Sequence, residues 1–293
     1  MIRTPKYYQI GIYITFLFMV LVPLLPVSFV NILWGFGILT LGILHGANDI
    51  EIIAKNFKGK LNNLYLKSIF MYLAVVLLGA LFFFTLPGLA LLIFVLFSSY
   101  HFGEQHWGDR LPLSLSHFGF YILYGAFIFF LMFVLQYESV VEVIHKISAY
   151  RFDFEFFLYI LISLGLLLLI ALVVNPITRV HWLREVVLLV LLAGIFYVGS
   201  LLFAFAFYFV VWHSIPSLKD QLQFLYEDKN LTSFGKYFKS SLWYWLASLT
   251  SLFLVYQYVD FEADYFMPLF FSFLAAITFP HTVVIGFMKH KND

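Results

Sequence analysis

A series of long apolar runs is the feature that most constrains how this chain can fold. A window of about 19 residues finds ten such runs, at 8–30, 32–54, 66–86, 88–103, 113–135, 155–174, 183–198, 201–218, 240–258 and 266–288. About 20 apolar residues suffice for a helix to cross the hydrocarbon core of a bilayer, and a soluble core could not bury so many runs of this length. Only 11% of the 293 residues are charged, against about a quarter in soluble domains. The sequence therefore predicts an all-α fold, a polytopic transmembrane helical bundle with about ten membrane-spanning segments.

The basic residues predict how these helices are oriented. If Gly199 and Ser200 separate the run at 183–198 from the run at 201–218, both chain ends lie on the same side of the membrane. That side then carries 15 of the 17 lysines and arginines, and only Lys146 and Arg151 fall on the other side. Because cytoplasmic loops carry an excess of Lys and Arg, we predict that both termini are cytoplasmic, N-in and C-in. No linker long enough to separate two domains is present, so residues 1–293 are predicted to form a single integral membrane domain.

Composition excludes several classes of function. The chain has no cysteine, which removes disulfides, thiolate metal ligands, iron–sulfur clusters and a cysteine nucleophile. Its formal net charge is +1, so the chain as a whole lacks the basic character of a nucleic-acid-binding protein. Every lysine lies at the end of a predicted span or in a loop, whereas a retinal-binding rhodopsin needs a lysine deep in the membrane for its Schiff base.

Four of the nine histidines lie at one depth in the predicted bundle. Each occupies a span that runs from outside to inside, about 12 to 15 residues from its outer end: His45, His101, His213 and His281. At about 1.5 Å per residue, these positions are roughly 18–22 Å below the outer surface. Any one of them could be a core histidine that hydrogen-bonds to a neighbouring helix. Four buried imidazoles in one layer instead favour a metal site, and neutral imidazole suits zinc, copper, iron or nickel.

Two carboxylates near these histidines are candidates to orient metal ligands. Asp49 lies four residues after His45, and Glu104 lies three residues after His101. Each acid is therefore close enough on a helix to accept a hydrogen bond from the second nitrogen of its histidine. The other five histidines are predicted to be solvated or interfacial: His106, His117, His145, His181 and His290.

Prolines accompany two of the four histidines. Pro216 is predicted to break the helix just after His213, and Ser217 beside it could act as a weak oxygen partner to the site. Pro280 precedes His281 directly. A kink there would release backbone groups for an internal polar site.

Short motifs around these histidines resemble those of a known family. The motifs are His45-Gly46-Ala47-Asn48-Asp49, Ser99-Tyr100-His101-Phe102-Gly103, Trp212-His213-Ser214 and Pro280-His281. In order and separation they are similar to the motifs of the Brp/Blh family of bacterial β-carotene 15,15'-dioxygenases. The likeness extends from the second membrane segment to the last.

This resemblance implies an iron(II)-dependent dioxygenase of the bacterial inner (plasma) membrane that splits β-carotene, or a related carotenoid, at its central double bond with O2 to give retinal. It implies iron ligation by His45, His101 and His213. In the family a second ligating histidine follows the tryptophan-histidine motif by four residues, and here that position is Ser217. His281 is the replacement ligand predicted from its depth. No catalytic residue is predicted beyond the metal ligands.

The aromatic content is compatible with such a substrate. A carotenoid is a long apolar polyene dissolved in the bilayer, so a site at membrane depth would meet it without passage through water. Aromatic residues make up 22% of the chain, with 38 phenylalanines, and stacked rings could line a polyene tunnel. The sequence singles out no ring as substrate-binding and indicates no oligomeric state.

Two other classes of function remain open at the level of sequence. A membrane transporter or channel would use buried polar groups and broken helices, which the histidines and prolines could supply. A haem-binding membrane protein could use pairs of these imidazoles as axial ligands. Absence of a bound transition metal would favour the transporter, and a Soret band would favour the haem protein.

Overall fold

The computed structural model describes residues 6–57, 63–111, 114–228, 230–258 and 266–289, and within these ranges every regular element is helical. The first seven helices are α1 (Lys6–Leu21), α2 (Val27–Gly37), α3 (Asp49–Asn56), α4 (Leu64–Thr85), α5 (Pro87–Trp107), α6 (Leu115–Leu135) and α7 (Tyr137–Ser148). The next seven are α8 (Phe154–Val174), α9 (Pro176–Arg179), α10 (Trp182–Val198), α11 (Leu201–Phe207), α12 (Ile215–Tyr226), α13 (Leu231–Tyr258) and α14 (Phe266–Lys289). A 3₁₀ turn, Val22–Leu24, follows α1, and π-helical segments occupy Ile38–Gly42 and Tyr208–Ser214. The predicted all-α class is confirmed.

Seven helices of the described chain are long and apolar enough to cross a membrane. They cover Tyr7–Leu24, Leu64–Thr85, Pro87–Trp107, His117–Leu135, Phe154–Val174, Leu201–Tyr226 and Pro268–Met288. Helices α10 and α13 occupy the predicted spans at 183–198 and 240–258, but α10 is shorter and α13 less apolar than these seven. The count of ten spans and the orientation stay predictions. Six residues lie outside the described ranges, five of them basic residues that count toward the predicted orientation and one a histidine: Arg3, Lys58, Lys60, Lys229, Lys291 and His290.

Large apolar side chains on these helices are exposed in the isolated chain. Examples are Phe70 and Phe84 on α4, and Leu166 and Leu167 on α8. A water-soluble protein rarely exposes so much contiguous apolar surface. Apolar helices with apolar outer faces suit a lipid environment.

Three local predictions about helix continuity had different outcomes. The break at Gly199 and Ser200 is confirmed, because α10 ends at Val198 and Ser200 caps α11 by accepting a hydrogen bond from the Phe203 amide at 3.2 Å. The predicted break at Pro216 is wrong. The helix continues through Pro216 because this residue lies in the first turn of α12, directly after a π-helical segment whose bonding differs from the i to i−4 ladder.

The predicted continuous span at 32–54 is also wrong. The helical path ends at Leu44, residues 45–48 form a turn, and α3 begins at Asp49. Gly46 and Asn48 both have low helix propensity. The helix therefore stops in the same short stretch that carries His45.

Contacts divide the chain into two compact units. The first contains Met1–Ile38, Ser98–Glu142 and Arg151–Pro216, and the second contains Leu39–Phe97, Val143–Tyr150 and Ser217–Asp293. The prediction of one membrane domain over residues 1–293 stays a prediction.

In the first unit, α6 packs on α8 and α10, α1 packs on α10, and α11 packs on α2. The part of α5 that lies in this unit packs against α6 with the two backbones in contact. A side chain at Gly103 would overlap the backbone of Tyr121, and one at Gly125 would overlap the backbone of Ser99. Small residues allow such close crossings in membrane helices. The glycine of the second motif therefore brings the helix that carries His101 against α6.

In the second unit, α14 packs on α3, α4 and α13. Its core includes an isoleucine cluster of α3 against the end of α14: Ile50, Ile52, Ile53, Val284, Ile285 and Met288. A second cluster joins Leu44 to Leu218, Leu222 and Tyr237. These contacts place the turn at residues 45–48 and the helix that carries His281 side by side.

Candidate metal centre

The first unit holds two of the four predicted ligands as a close pair. The ring centroids of His101 and His213 are 4.6 Å apart, with the ring planes at 73°. Both side chains are buried. The His213 ring also stacks on Phe209 at 5.3 Å and lies 4.7 Å from Phe102. This pair therefore has an apolar, aromatic surrounding.

The backbone that presents His213 is itself irregular. His213 lies near the end of the π-helical segment Tyr208–Ser214, and Ser214 donates its hydroxyl to the carbonyl of Phe209 at 2.8 Å. Short π-helical segments inside α-helices occur frequently at functional sites. The extra residue in the turn changes which side chains share a face, so the direction of His213 could not be read from an ideal helical period.

The second unit holds the other two predicted ligands as a close pair. The rings of His45 and His281 are 4.8 Å apart and nearly perpendicular, at 89°. His45 donates its Nδ1–H to the carbonyl of Gly42, and His281 donates its Nδ1–H to Asp49, at 2.8 Å from Oδ1. A carbonyl can only accept, so the proton of His45 lies on Nδ1 and its lone pair on Nε2. A neutral His281 ring that donates to the Asp49 carboxylate likewise has its lone pair on Nε2.

The interaction of Asp49 corrects one expectation from the sequence. Asp49 was predicted to orient His45 from four residues away, but it bonds to His281, 232 residues along the chain. Its other oxygen accepts a hydrogen bond from the Tyr72 hydroxyl at 2.9 Å. The helical spacing did not apply because residues 45–48 form a turn. A carboxylate that fixes a histidine through its distal nitrogen is a common arrangement around metal ligands.

Tyr237 holds the turn that carries His45. Its hydroxyl oxygen is 3.0 Å from the carbonyl oxygen of His45, 3.2 Å from that of Leu44 and 2.8 Å from Oε1 of Gln221. The Asn48 amide donates to the Tyr237 carbonyl at 3.0 Å. An interrupted helix inside a membrane is tolerated where other groups satisfy the released backbone. Sequence reasoning missed Tyr237, since a single tyrosine in a predicted loop at 219–239 carries no local signal.

The structure also describes contacts of the two remaining predicted partners, and the role of Glu104 beside His101 stays a prediction. Glu104, proposed beside His101, accepts a hydrogen bond from the Tyr100 hydroxyl at 2.9 Å. Ser217 is fully buried and accepts a hydrogen bond from the Gln221 amide at 3.1 Å. Through Gln221 it belongs to the same network as Tyr237. Ser217 thus supports the turn of His45 indirectly.

A buried ionic cluster in the first unit was also missed. Glu185, which is 0% exposed, accepts hydrogen bonds from His106 at 2.9 Å, Arg110 at 2.8 Å and Tyr124 at 2.9 Å, and lies 3.3 Å from the Tyr8 hydroxyl. His106, predicted to be interfacial, is therefore buried. The reason is that α5 continues to Trp107 and places His106 against α10.

Charges around this cluster shift two pKa values. Burial of the Arg110 guanidinium opposes its charge, but the adjacent Glu185 carboxylate outweighs burial and raises the pKa of Arg110. Burial lowers the pKa of His181, and the positive charge of Arg110 lowers it further. His181, expected at the surface, is only 3% exposed. Glu185 and Arg110 thus lie within ion-pair distance, at 2.8 Å, in a buried part of the first unit.

Each unit contains two buried imidazoles, a ligand type that transition metals bind. In the second unit, a neutral ring that donates from Nδ1 keeps its lone pair on Nε2. The chain has no thiolate. Neutral imidazole with a carboxylate behind it is the ligand type expected for iron, copper, zinc or nickel.

Comparison with known proteins identifies the family. The family model of beta-carotene 15,15'-dioxygenase matches residues 36–289, which include all four histidines and Asp49. Comparison with curated proteins and with solved structures gives no match. The match covers most of the chain and leaves α1 outside it. The chain therefore belongs to the beta-carotene 15,15'-dioxygenase family.

Proposed function

We propose that this protein is a membrane-embedded, iron(II)-dependent dioxygenase of the bacterial inner membrane that cleaves β-carotene, or a related carotenoid, to retinal. Membership of the family supports the reaction class. The observation that carries the metal proposal is the His45–His281 pair, in which both Nδ1 atoms lie against acceptors, so that a neutral ring keeps its Nε2 lone pair for a metal. Seven apolar helices support the location in a membrane.

We propose four ligands for the iron: His45, His101, His213 and His281. Each is buried, and each lies within 5 Å, by ring centroid, of the other histidine of its unit. Iron(II) held by these neutral imidazoles would supply redox chemistry toward dioxygen. In this chain, His281 takes the part of the family's second histidine, whose position is occupied by Ser217.

The residues around the ligands exclude water. Phe102 and Phe209 pack against the ring of His213, and Phe209 also stacks on Phe205 at 5.4 Å. A polyene offers no polar group to bind, so its recognition must come from apolar area and ring contacts. The overall reaction breaks the central carbon–carbon double bond, and each oxygen atom of O2 ends in one of the two aldehyde products.

Metal exchange tests the proposed function. We expect the purified protein to contain iron without a Soret band, to lose β-carotene cleavage after chelation, and to regain it with iron(II) but not with zinc. In cells that accumulate β-carotene, expression should remove the orange colour and produce retinal. Cleavage that persists in chelated protein, or a haem spectrum, would contradict the iron proposal.

The orientation is tested separately. We propose ten spans with N-in and C-in termini, as the distribution of Lys and Arg predicts. The absence of native cysteine allows single cysteines to be introduced at Lys146 and Lys236 and labelled with a membrane-impermeant reagent. Labelling from outside at residue 146 alone supports the orientation, and labelling at residue 236 contradicts it.

A further inference from the structure

The side chain of Trp212, next to the proposed ligand His213, is held on several sides within the first unit. Its indole N–H donates to the hydroxyl oxygen of Thr15 at 3.0 Å. The Tyr8 ring meets it edge-on at 5.5 Å, and the His106 ring lies 6.0 Å away. The indole is 4% exposed. Its orientation is therefore determined by a specific donor–acceptor pair as well as by packing.

Helix α1 presents one face to this indole. Tyr8, Gly11 and Thr15 are spaced by three and four residues and so lie on the same side of the helix. Thr15 donates its own hydroxyl to the Gly11 carbonyl at 2.7 Å, which turns its lone pairs toward the indole N–H. A Cβ at residue 11 would come within 2.9 Å of the Trp212 ring. The glycine therefore makes room for the indole against the helix.

Glu185 holds the two rings that flank Trp212. Its carboxylate is 2.9 Å from His106 Nε2 and 3.3 Å from the Tyr8 hydroxyl. Arg110 and Tyr124 hold the carboxylate in turn. A buried ionic cluster is costly to form and is weak evidence for stability alone. The cluster has a positioning role here, because its carboxylate holds the Tyr8 and His106 rings that lie against the Trp212 indole.

We propose that these residues form a tryptophan seat, defined as Tyr8, Gly11, Thr15 and His106 around Trp212, that sets the orientation of His213. The two residues are consecutive in a π-helical segment, so the contacts that hold the indole also hold the stretch of backbone that carries the His213 side chain. The seat consists of positioning residues that do not touch the substrate. Helix α1 lies outside the range of the family match, yet it supports a ligand inside that range. The inference rests on the proposed function in one respect, that His213 binds iron.

The test replaces Thr15 with valine, which has nearly the same shape and cannot accept the indole hydrogen bond. The probe is iron(II) with nitric oxide on purified protein, read by electron paramagnetic resonance. We expect Thr15→Val to weaken iron(II) binding about tenfold, as loss of an outer partner of a metal ligand does, and to change the nitrosyl spectrum. Thr15→Ser restores the hydroxyl and should restore both.

Thr178→Val is the matched control. Thr178 is also fully buried and also donates its hydroxyl to a carbonyl, that of Ala171 at 2.9 Å, but it joins α8 to α9 and has no role at Trp212. We expect its spectrum and iron affinity to match those of the wild type. A spectral change of the same size in Thr178→Val would show a general loss of packing and would overturn the proposed role of the tryptophan seat.

A double-mutant cycle provides a second measurement. Trp212→Phe removes the indole donor, so adding Thr15→Val to it should have almost no further effect on iron affinity. Additive effects, or a folded Thr15→Val protein with wild-type affinity and spectrum, would overturn the seat. Failure of the wild-type protein to bind iron(II) would instead overturn the proposed function, so the two failures are distinct.

Discussion

The two histidine pairs are built in opposite ways. In the first unit His101 and His213 lie on helical backbone and are surrounded by aromatic rings. In the second unit His45 lies on a turn, His281 lies beside a helical proline, and polar groups hold both Nδ1 atoms. The comparison shows two kinds of contact around an imidazole: aromatic rings packed against His213 in the first unit, and acceptors of fixed position at both Nδ1 atoms in the second.

Removal of any one ligand should have the largest effect. We expect four variants each to abolish carotene bleaching, because three imidazoles hold iron(II) less tightly than four. The variants are His45→Ala, His101→Ala, His213→Ala and His281→Ala. Iron content of the purified proteins and retinal yield measure this. A variant that keeps full iron content and full activity would show that the replaced histidine is not a ligand. It would also show that the two histidines of that unit do not bind iron as a pair.

Loss of the carboxylate tests whether the second pair depends on its polar partner. We expect Asp49→Ala to weaken iron(II) binding by about 10- to 100-fold, as removal of a carboxylate behind a ligating histidine does. The matched control is Asp49→Asn, which keeps a side-chain oxygen that can accept from His281 Nδ1 and should weaken binding less. Equal losses in titrations of iron(II) into the two variants would contradict a role for this hydrogen bond.

The turn of His45 should depend on the Tyr237 hydroxyl. Tyr237→Phe removes the single O–H that lies within reach of the carbonyls of Leu44 and His45, and we expect a loss of about 1–3 kcal/mol of stability. Denaturant unfolding in detergent measures the change. Tyr137→Phe is the control, because the Tyr137 hydroxyl donates to a single carbonyl, that of Phe152, at 3.0 Å. A smaller loss for Tyr237→Phe than for the control would show that the turn is held by other contacts.

The smallest effect is expected at Ser217. Its hydroxyl only accepts from Gln221 among the bonds described for it, so Ser217→Ala should cost about 1 kcal/mol or less of stability and leave iron content unchanged. Metal analysis of the purified variant checks this. A large loss of iron would place Ser217 among the ligands and would remove the need for His281.

Much of the fold could be predicted from local pattern. Apolar runs of membrane length, the break at Gly199 and Ser200, and the all-helical class all follow from residues close together in sequence. The errors occurred where local rules are overridden. Pro216 did not break its helix because the preceding π-helical segment changes the bonding, and the span at 32–54 stops at Leu44, where the Tyr237 hydroxyl lies within hydrogen-bond distance of the carbonyls of Leu44 and His45.

The sequence by itself determined the helical class and the absence of sulfur ligands, and it supplied the proposal of four histidine ligands, because apolar length and residue type are properties of single segments. Only the tertiary structure decided which groups orient them. Asp49 meets His281 across 232 residues, Tyr237 meets His45 across 192, and Trp212 meets Thr15 across 197. Helical periodicity relates residues within a few turns of one another, whereas hydrogen bonds between helices depend on packing that no local spacing records.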